Sequence, residues 1–135
     1  MPNRIFIDTS FVIALINQND QYHRIAQDLS ESYIDTRLVT TDAVLLEIGN
    51  ALSKKYKNES IKIIEYFTTS PDVEIINLNS SLFNQAFDLY KSYQDKDWSL
   101  TDCISFVVME KLEIRSALTS DKHFEQAGYN FLMKK

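Results

Sequence analysis

The alternation of short β-favouring apolar runs with helical patterns constrains this chain more than any other feature. Ile5-Phe6-Ile7, Leu38-Val39-Thr40, Val73 to Leu78 and Ala117-Leu118-Thr119 read as strands, and Tyr129 to Met133 as a last edge strand. A continuous apolar run such as Ile5 to Ile7 suits a strand covered on both faces. Between the runs, apolar residues recur at helical spacing. Phe11 to Ile16 follows Thr9 and Ser10, either of which can cap a helix; Tyr22, Ile25, Ala26, Leu29 and Tyr33 mark a second helix. Asp42 is expected to cap a third, with Val44, Leu45, Ile48, Ala51 and Leu52 on one face and Lys54, Lys55 and Lys57 at its end. Ile61, Ile64 and Phe67 predict a short helix stopped by Ser70-Pro71, and Leu82 to Tyr93 a longer amphipathic one. Ser99-Leu100-Thr101-Asp102 opens a strongly apolar helix through Leu112, and one helical turn surrounds Phe124. Strands alternating with helices throughout define an α/β protein with a mainly parallel sheet.

No linker, repeat or low-complexity segment interrupts the 135 residues, so one domain spanning 1–135 is expected. No apolar run is long enough to cross a membrane, and the N-terminus lacks the pattern of a signal peptide. A single cysteine, Cys103, excludes an internal disulfide and a cysteine-rich zinc site, which fits a reducing cytoplasm. With only Gly49 and Gly128, the chain cannot build a glycine-rich phosphate loop. The formal net charge of -5 argues against broad electrostatic binding of nucleic acid. It leaves room for a nucleic-acid enzyme whose acids are neutralised by metal.

The acids therefore carry the functional question. Asp8 ends the first strand, where α/β sheets collect their ligands; it reads either as a helix cap or as a metal ligand. Glu47 lies at the margin of an apolar helix face and reads as solvated unless that margin meets the sheet edge. Asp102 completes a capping-box pattern with Ser99, a role compatible with facing a site outside the helix. Asp121 repeats the opening arrangement, an apolar strand followed by Thr119-Ser120 and then the acid. Asp97 reads as a loop acid. Cys103 and Trp98 read as core, and His23 and His123, lacking any metal-ligand spacing, as surface residues.

Like charges do not gather without a cation, since each raises the pKa of the others. Hard Mg²⁺ or Mn²⁺ takes oxygen ligands and needs only a few carboxylates. An all-acid site without His, Cys or a glycine loop points to hydrolysis of a phosphodiester, and does not by itself separate nuclease from phosphatase. In order along the chain, Ile7-Asp8-Thr9-Ser10, Glu47, Ser99-Leu100-Thr101-Asp102 and Thr119-Ser120-Asp121 resemble the PIN domain family, and within it the VapC-type ribonuclease toxins of bacterial toxin–antitoxin pairs. The resemblance implies a three-layer α/β/α sandwich and an endoribonuclease dependent on Mg²⁺ or Mn²⁺. It assigns Asp8, Glu47, Asp102 and Asp121 to catalysis and metal binding, with Ser10 and Thr119 in support; Asp97, in a loop that departs from the family pattern, is a candidate extra outer acid, leaving open whether it or Asp121 completes a second metal position. It also implies an RNA substrate, a cognate antitoxin and a homodimer. Lys96-Asp97-Trp98 departs from the family pattern where many relatives carry glycine, as does Cys103 where alanine is frequent.

Two other functions compete. A PIN-like module that binds RNA or protein without cutting would share the scaffold. A phosphatase using Asp8 as nucleophile would need a second acid two residues on, where this chain has Ser10.

Overall fold

A computed structural model of the chain describes residues 4–135. Residues 1–3, the start of the expected 1–135 domain, lie outside the described residues. Five strands, β1 (Arg4–Ile7), β2 (Arg37–Thr41), β3 (Val73–Ile76), β4 (Ser116–Leu118) and β5 (Asn130–Phe131), form one sheet in the order β3-β2-β1-β4-β5. Every pairing among the described residues is parallel, so the sheet is wholly rather than mainly parallel. Helices α1 (Thr9–Ile16), α2 (His23–Ser32), α3 (Asp42–Leu52), α4 (Lys57–Thr69), α5 (Ser80–Ser92), α6 (Leu100–Lys111) and α7 (Lys122–Gln126) form the connections and the outer layers of an α/β/α sandwich.

The central strand shows why both faces are covered. Successive side chains of a strand point to opposite sides of the sheet. Phe6 packs on Phe124, which meets Phe106 edge to face, and Trp98 meets Phe106 in turn. Its neighbour Ile7 points the other way, towards Phe11, Leu15, Phe67 and Leu118. Ile5, Phe6 and Ile7 are all buried, which is the physical basis of the unbroken apolar run.

Several local expectations change in the fold. Thr9 and Ser10 do not cap α1; the N-cap is Asp8, whose side chain makes no capping bond. Asp42 does not cap α3 either. Thr41 does so, accepting from the Val44 N–H at 3.1 Å, while Asp42 Oδ1 accepts from the Leu78 N–H at 2.9 Å. Lys57 opens α4 rather than closing α3, and α4 runs for 13 residues, longer than its three apolar markers suggested. Ala51 is exposed on α3. β3 stops at Ile76 rather than Leu78, and the last strand is only two residues long, Asn130–Phe131. Among the described residues no helix is long and apolar enough to cross a membrane.

Candidate functional site

Parallel pairing of β1 and β4, with Ile7 opposite Leu118, brings the residues that follow each strand to the same sheet edge. The Asp8 N–H donates to the Leu118 carbonyl at 3.2 Å and extends that pairing by one step. Asp8 is therefore buried, 6% exposed, at the carboxyl end of the central strand. Its Oδ2 accepts from the Thr119 hydroxyl at 2.7 Å and from the Ser10 hydroxyl at 3.1 Å. These hydroxyls are themselves held in place. Ser10 Oγ accepts from the Ser120 N–H at 3.1 Å, and Thr119 Oγ1 accepts from the Asp121 N–H at 3.0 Å.

Hydroxyl donors do not replace a countercharge. Burial lifts the Asp8 carboxyl from its ordinary 3.8 to about 6, and the charge of Asp102 adds to the rise against the bonds from Thr119 and Ser10. Asp102 reaches this edge from the first turn of α6. There the capping box forms in full: Ser99 Oγ accepts from the Asp102 N–H at 3.0 Å, and Asp102 Oδ2 accepts from the Ser99 N–H at 3.1 Å. Capping does not withdraw Asp102 from the site. The same Oδ2 lies 2.9 Å from His123 Nδ1.

Asp121 is the N-cap of α7 and accepts the His123 N–H at 2.9 Å through Oδ1. That oxygen also lies 3.4 Å from His123 Nδ1. One ligand atom each from Asp102, Asp121 and His123 fall within 4.8 Å of one another. Burial works against a charged His123. The hydrogen bond with Asp102 and the charges of Asp121, Asp102 and Asp97 outweigh it, raising its pKa above the ordinary 6.5.

Glu47 approaches from α3, half-buried, and its Oε1 accepts from the Thr9 hydroxyl at 2.6 Å. Thr9 directly follows Asp8, so this bond ties the margin of α3 to the start of α1. Neither Asp8 nor Glu47 is in the tight group of three. Asp97 is exposed in the loop before α6, with its charge felt at His123. Among the described residues no lysine or arginine pairs with Asp8, Glu47, Asp102 or Asp121.

Neither histidine is a free surface residue as the sequence suggested. His23 Nδ1 lies 2.8 Å from the Ala14 carbonyl, and His123 belongs to the site. His123 and Thr9 are the two residues that sequence reasoning missed. The available signal for His123 was slight: it stands two residues after an N-cap acid. Trp98 is core, its Nε1–H donating to Gln126 Oε1 at 3.0 Å. Cys103 is fully buried, and burial pushes its thiol up to about 11, which removes it from nucleophilic chemistry at neutral pH.

A wholly parallel sheet with acids of one sign gathered past its central strands defines a class of protein. The chain belongs to the PIN domain family, whose model matches residues 5–129. Within that family it is 30% identical over 125 residues to the 23S rRNA-specific endonuclease VapC20 of Mycobacterium tuberculosis, a match covering 93% of this chain and 95% of the relative. The same protein from a second strain matches equally well. The crystal structure of Mycobacterium tuberculosis VapC20, a Sarcin-Ricin loop cleaving toxin, superposes with a TM-score of 0.84 at 28% identity, over 93% of this chain and 95% of that one. The likeness to VapC-type toxins read from the acidic motifs thus extends to nearly the whole fold.

Proposed function

We propose that this chain is a divalent-metal-dependent endoribonuclease of the VapC type, the toxin of a toxin–antitoxin pair acting in the cytoplasm. The observation that carries the reading is an excess of carboxylates that a single histidine does not balance. Asp8 is buried at a strand end where the charge of Asp102 reaches it, Asp102 and Asp121 meet at His123, and among the described residues no lysine or arginine pairs with them. Such a set costs the fold stability unless a cation completes it.

The donor set fits a hard divalent ion. Asp8, Glu47, Asp102 and Asp121 supply carboxylate oxygens, the ligands Mg²⁺ and Mn²⁺ prefer. An ion held there supplies Lewis-acid polarisation of a phosphoryl oxygen and a water of lowered pKa. The chain's own part is positioning. Thr119 and Ser10 fix one oxygen of Asp8 through their hydroxyls, and Thr9 fixes one oxygen of Glu47. The capping box holds Asp102 at the mouth of α6. Asp97, on the exposed loop, serves as an outer acid.

RNA is the substrate class, and 23S rRNA, on which the named relative acts, is the first RNA to test. A cognate antitoxin and a second copy of the chain are the protein partners that go with this reading, and residues 1–135 act as one unit. The test is cleavage of 23S rRNA by purified protein with Mg²⁺ or Mn²⁺. Wild type should cut in an EDTA-sensitive manner while Asp102→Asn does not. If neither protein cuts with either ion, the non-catalytic binding module takes its place.

A further inference from the structure

The four acids do not exhaust the donor atoms at this edge. His123 turns Nδ1 inward, 2.9 Å from Asp102 Oδ2 and 3.4 Å from Asp121 Oδ1. Those separations have a meaning in coordination geometry. Around an octahedral ion with bonds of about 2.1 Å, neighbouring ligand atoms stand about 3.0 Å apart, the bond length times the square root of two. The two separations from His123 Nδ1 suit ligands of one ion, with the metal taking the place of the proton that now joins His123 Nδ1 and Asp102 Oδ2, and all three atoms lie within 4.8 Å of one another.

The backbone holds this arrangement from both sides. Asp121 and His123 leave the same first turn of α7, pinned by the bond from the His123 N–H to Asp121 Oδ1. Asp102 is held on α6 by its capping box. Packing of Phe124, fully buried against Phe6 and Phe106, sets where that turn of α7 sits.

We propose that His123 is a nitrogen ligand of the same centre and biases it towards a first-row transition ion over Mg²⁺. This rests on the metal-dependent reading above. Imidazole is a poor partner for Mg²⁺, which keeps oxygen ligands and water, whereas affinity for a site containing nitrogen rises along the transition series that begins at Mn²⁺. His123 is then a selectivity-determining residue, and the centre is a mixed nitrogen–oxygen site rather than an all-carboxylate one.

The experiment uses the full chain with Mn²⁺ as the probe and needs no RNA. Pulsed electron paramagnetic resonance of the Mn²⁺-loaded protein should show coupling to a directly bound ¹⁴N. That signal should vanish in His123→Asn and in His123→Gln, and persist in His23→Gln, whose imidazole lies against the Ala14 carbonyl. Calorimetric titration should show Mn²⁺ affinity falling about tenfold in His123→Asn, with Mg²⁺ affinity within about twofold of wild type. Mn²⁺ binding without ¹⁴N coupling in wild type overturns the proposal, whatever the variants do. Equal weakening of both ions does so too, since a residue that merely orients Asp102 would act on either. If wild type binds no Mn²⁺, or binds it no better than Asp102→Asn, the metal-dependent reading itself fails.

Discussion

The two edges of the central sheet handle charge in opposite ways. At the amino edge of the strands, Arg4 donates through Nη2 to the Leu112 carbonyl at 2.9 Å and pairs through Nη1 with Glu74 at 3.7 Å. A hollow of about 600 Å³ opens there, lined by both signs of charge, with Arg4 and Arg37 facing Asp72 and Glu74. At the carboxyl edge carboxylates outnumber their one histidine partner, Asp8 is buried, and its nearest side-chain donors are hydroxyls. An excess of carboxylates, held in place by caps and hydroxyls, marks the functional edge.

The largest expected contrast between the edges is in activity. Asp8→Asn should slow RNA cleavage by about a thousandfold or more, equivalent to ~4 kcal/mol of barrier, because it removes a charged ligand. Glu74→Gln, at the opposite edge, should stay within about twofold in the same assay. Comparable losses in the two variants would erase the distinction between the edges.

Next in size, Asp8→Asn should act on metal-free stability in the opposite direction. A carboxyl whose pKa rises from 3.8 to about 6 on folding favours the folded state when protonated. That contribution is complete below pH 3.8 and lost as pH rises through about 6. Metal-free wild type should weaken over this interval, and Asp8→Asn should be more stable at pH 7.5 by up to about 3 kcal/mol. Chemical denaturation in EDTA at pH 4 and pH 7.5 measures the difference. A variant no more stable than wild type at pH 7.5 would show that the acid is already compensated.

Thr119→Val should come third. It removes the bond to Asp8 and leaves the Asp121 N–H without its acceptor, at a cost of about 1–3 kcal/mol in denaturant unfolding. Smallest of all, Glu74→Gln breaks an exposed pair and should change stability by less than about 0.5 kcal/mol. Finding the Glu74 effect larger than the Thr119 effect would reverse the ranking of the two edges.

Features whose partners lie close along the chain were legible before folding. The Ser99-x-x-Asp102 capping box formed as its spacing predicts, and Ile5 to Ile7 became a strand buried on both faces. Local pattern failed where two neighbours compete for one role. Thr41 outdid Asp42 as the cap of α3, since Asp42 found the Leu78 N–H, 36 residues away, as its partner. Thr9 and Ser10 looked like helix caps and became donors to Glu47 and Asp8 instead. His123 had no local pattern to betray it, because its carboxylate partner Asp102 is 21 residues distant.

By itself the sequence determined the order of strands and helices, the apolar faces, and an inventory of acids too poor in glycine and cysteine for other phosphate or metal chemistry. These follow from periodicity and residue type, which act over a few residues. Tertiary structure alone decided which side chains meet: Asp8 with Thr119 across 111 residues, Glu47 with Thr9 across 38, and His123 between two acids. The reason is parallel pairing. Strands β1 and β4 lie at opposite ends of the chain, and only their register in the sheet brings the residues beyond them to one edge.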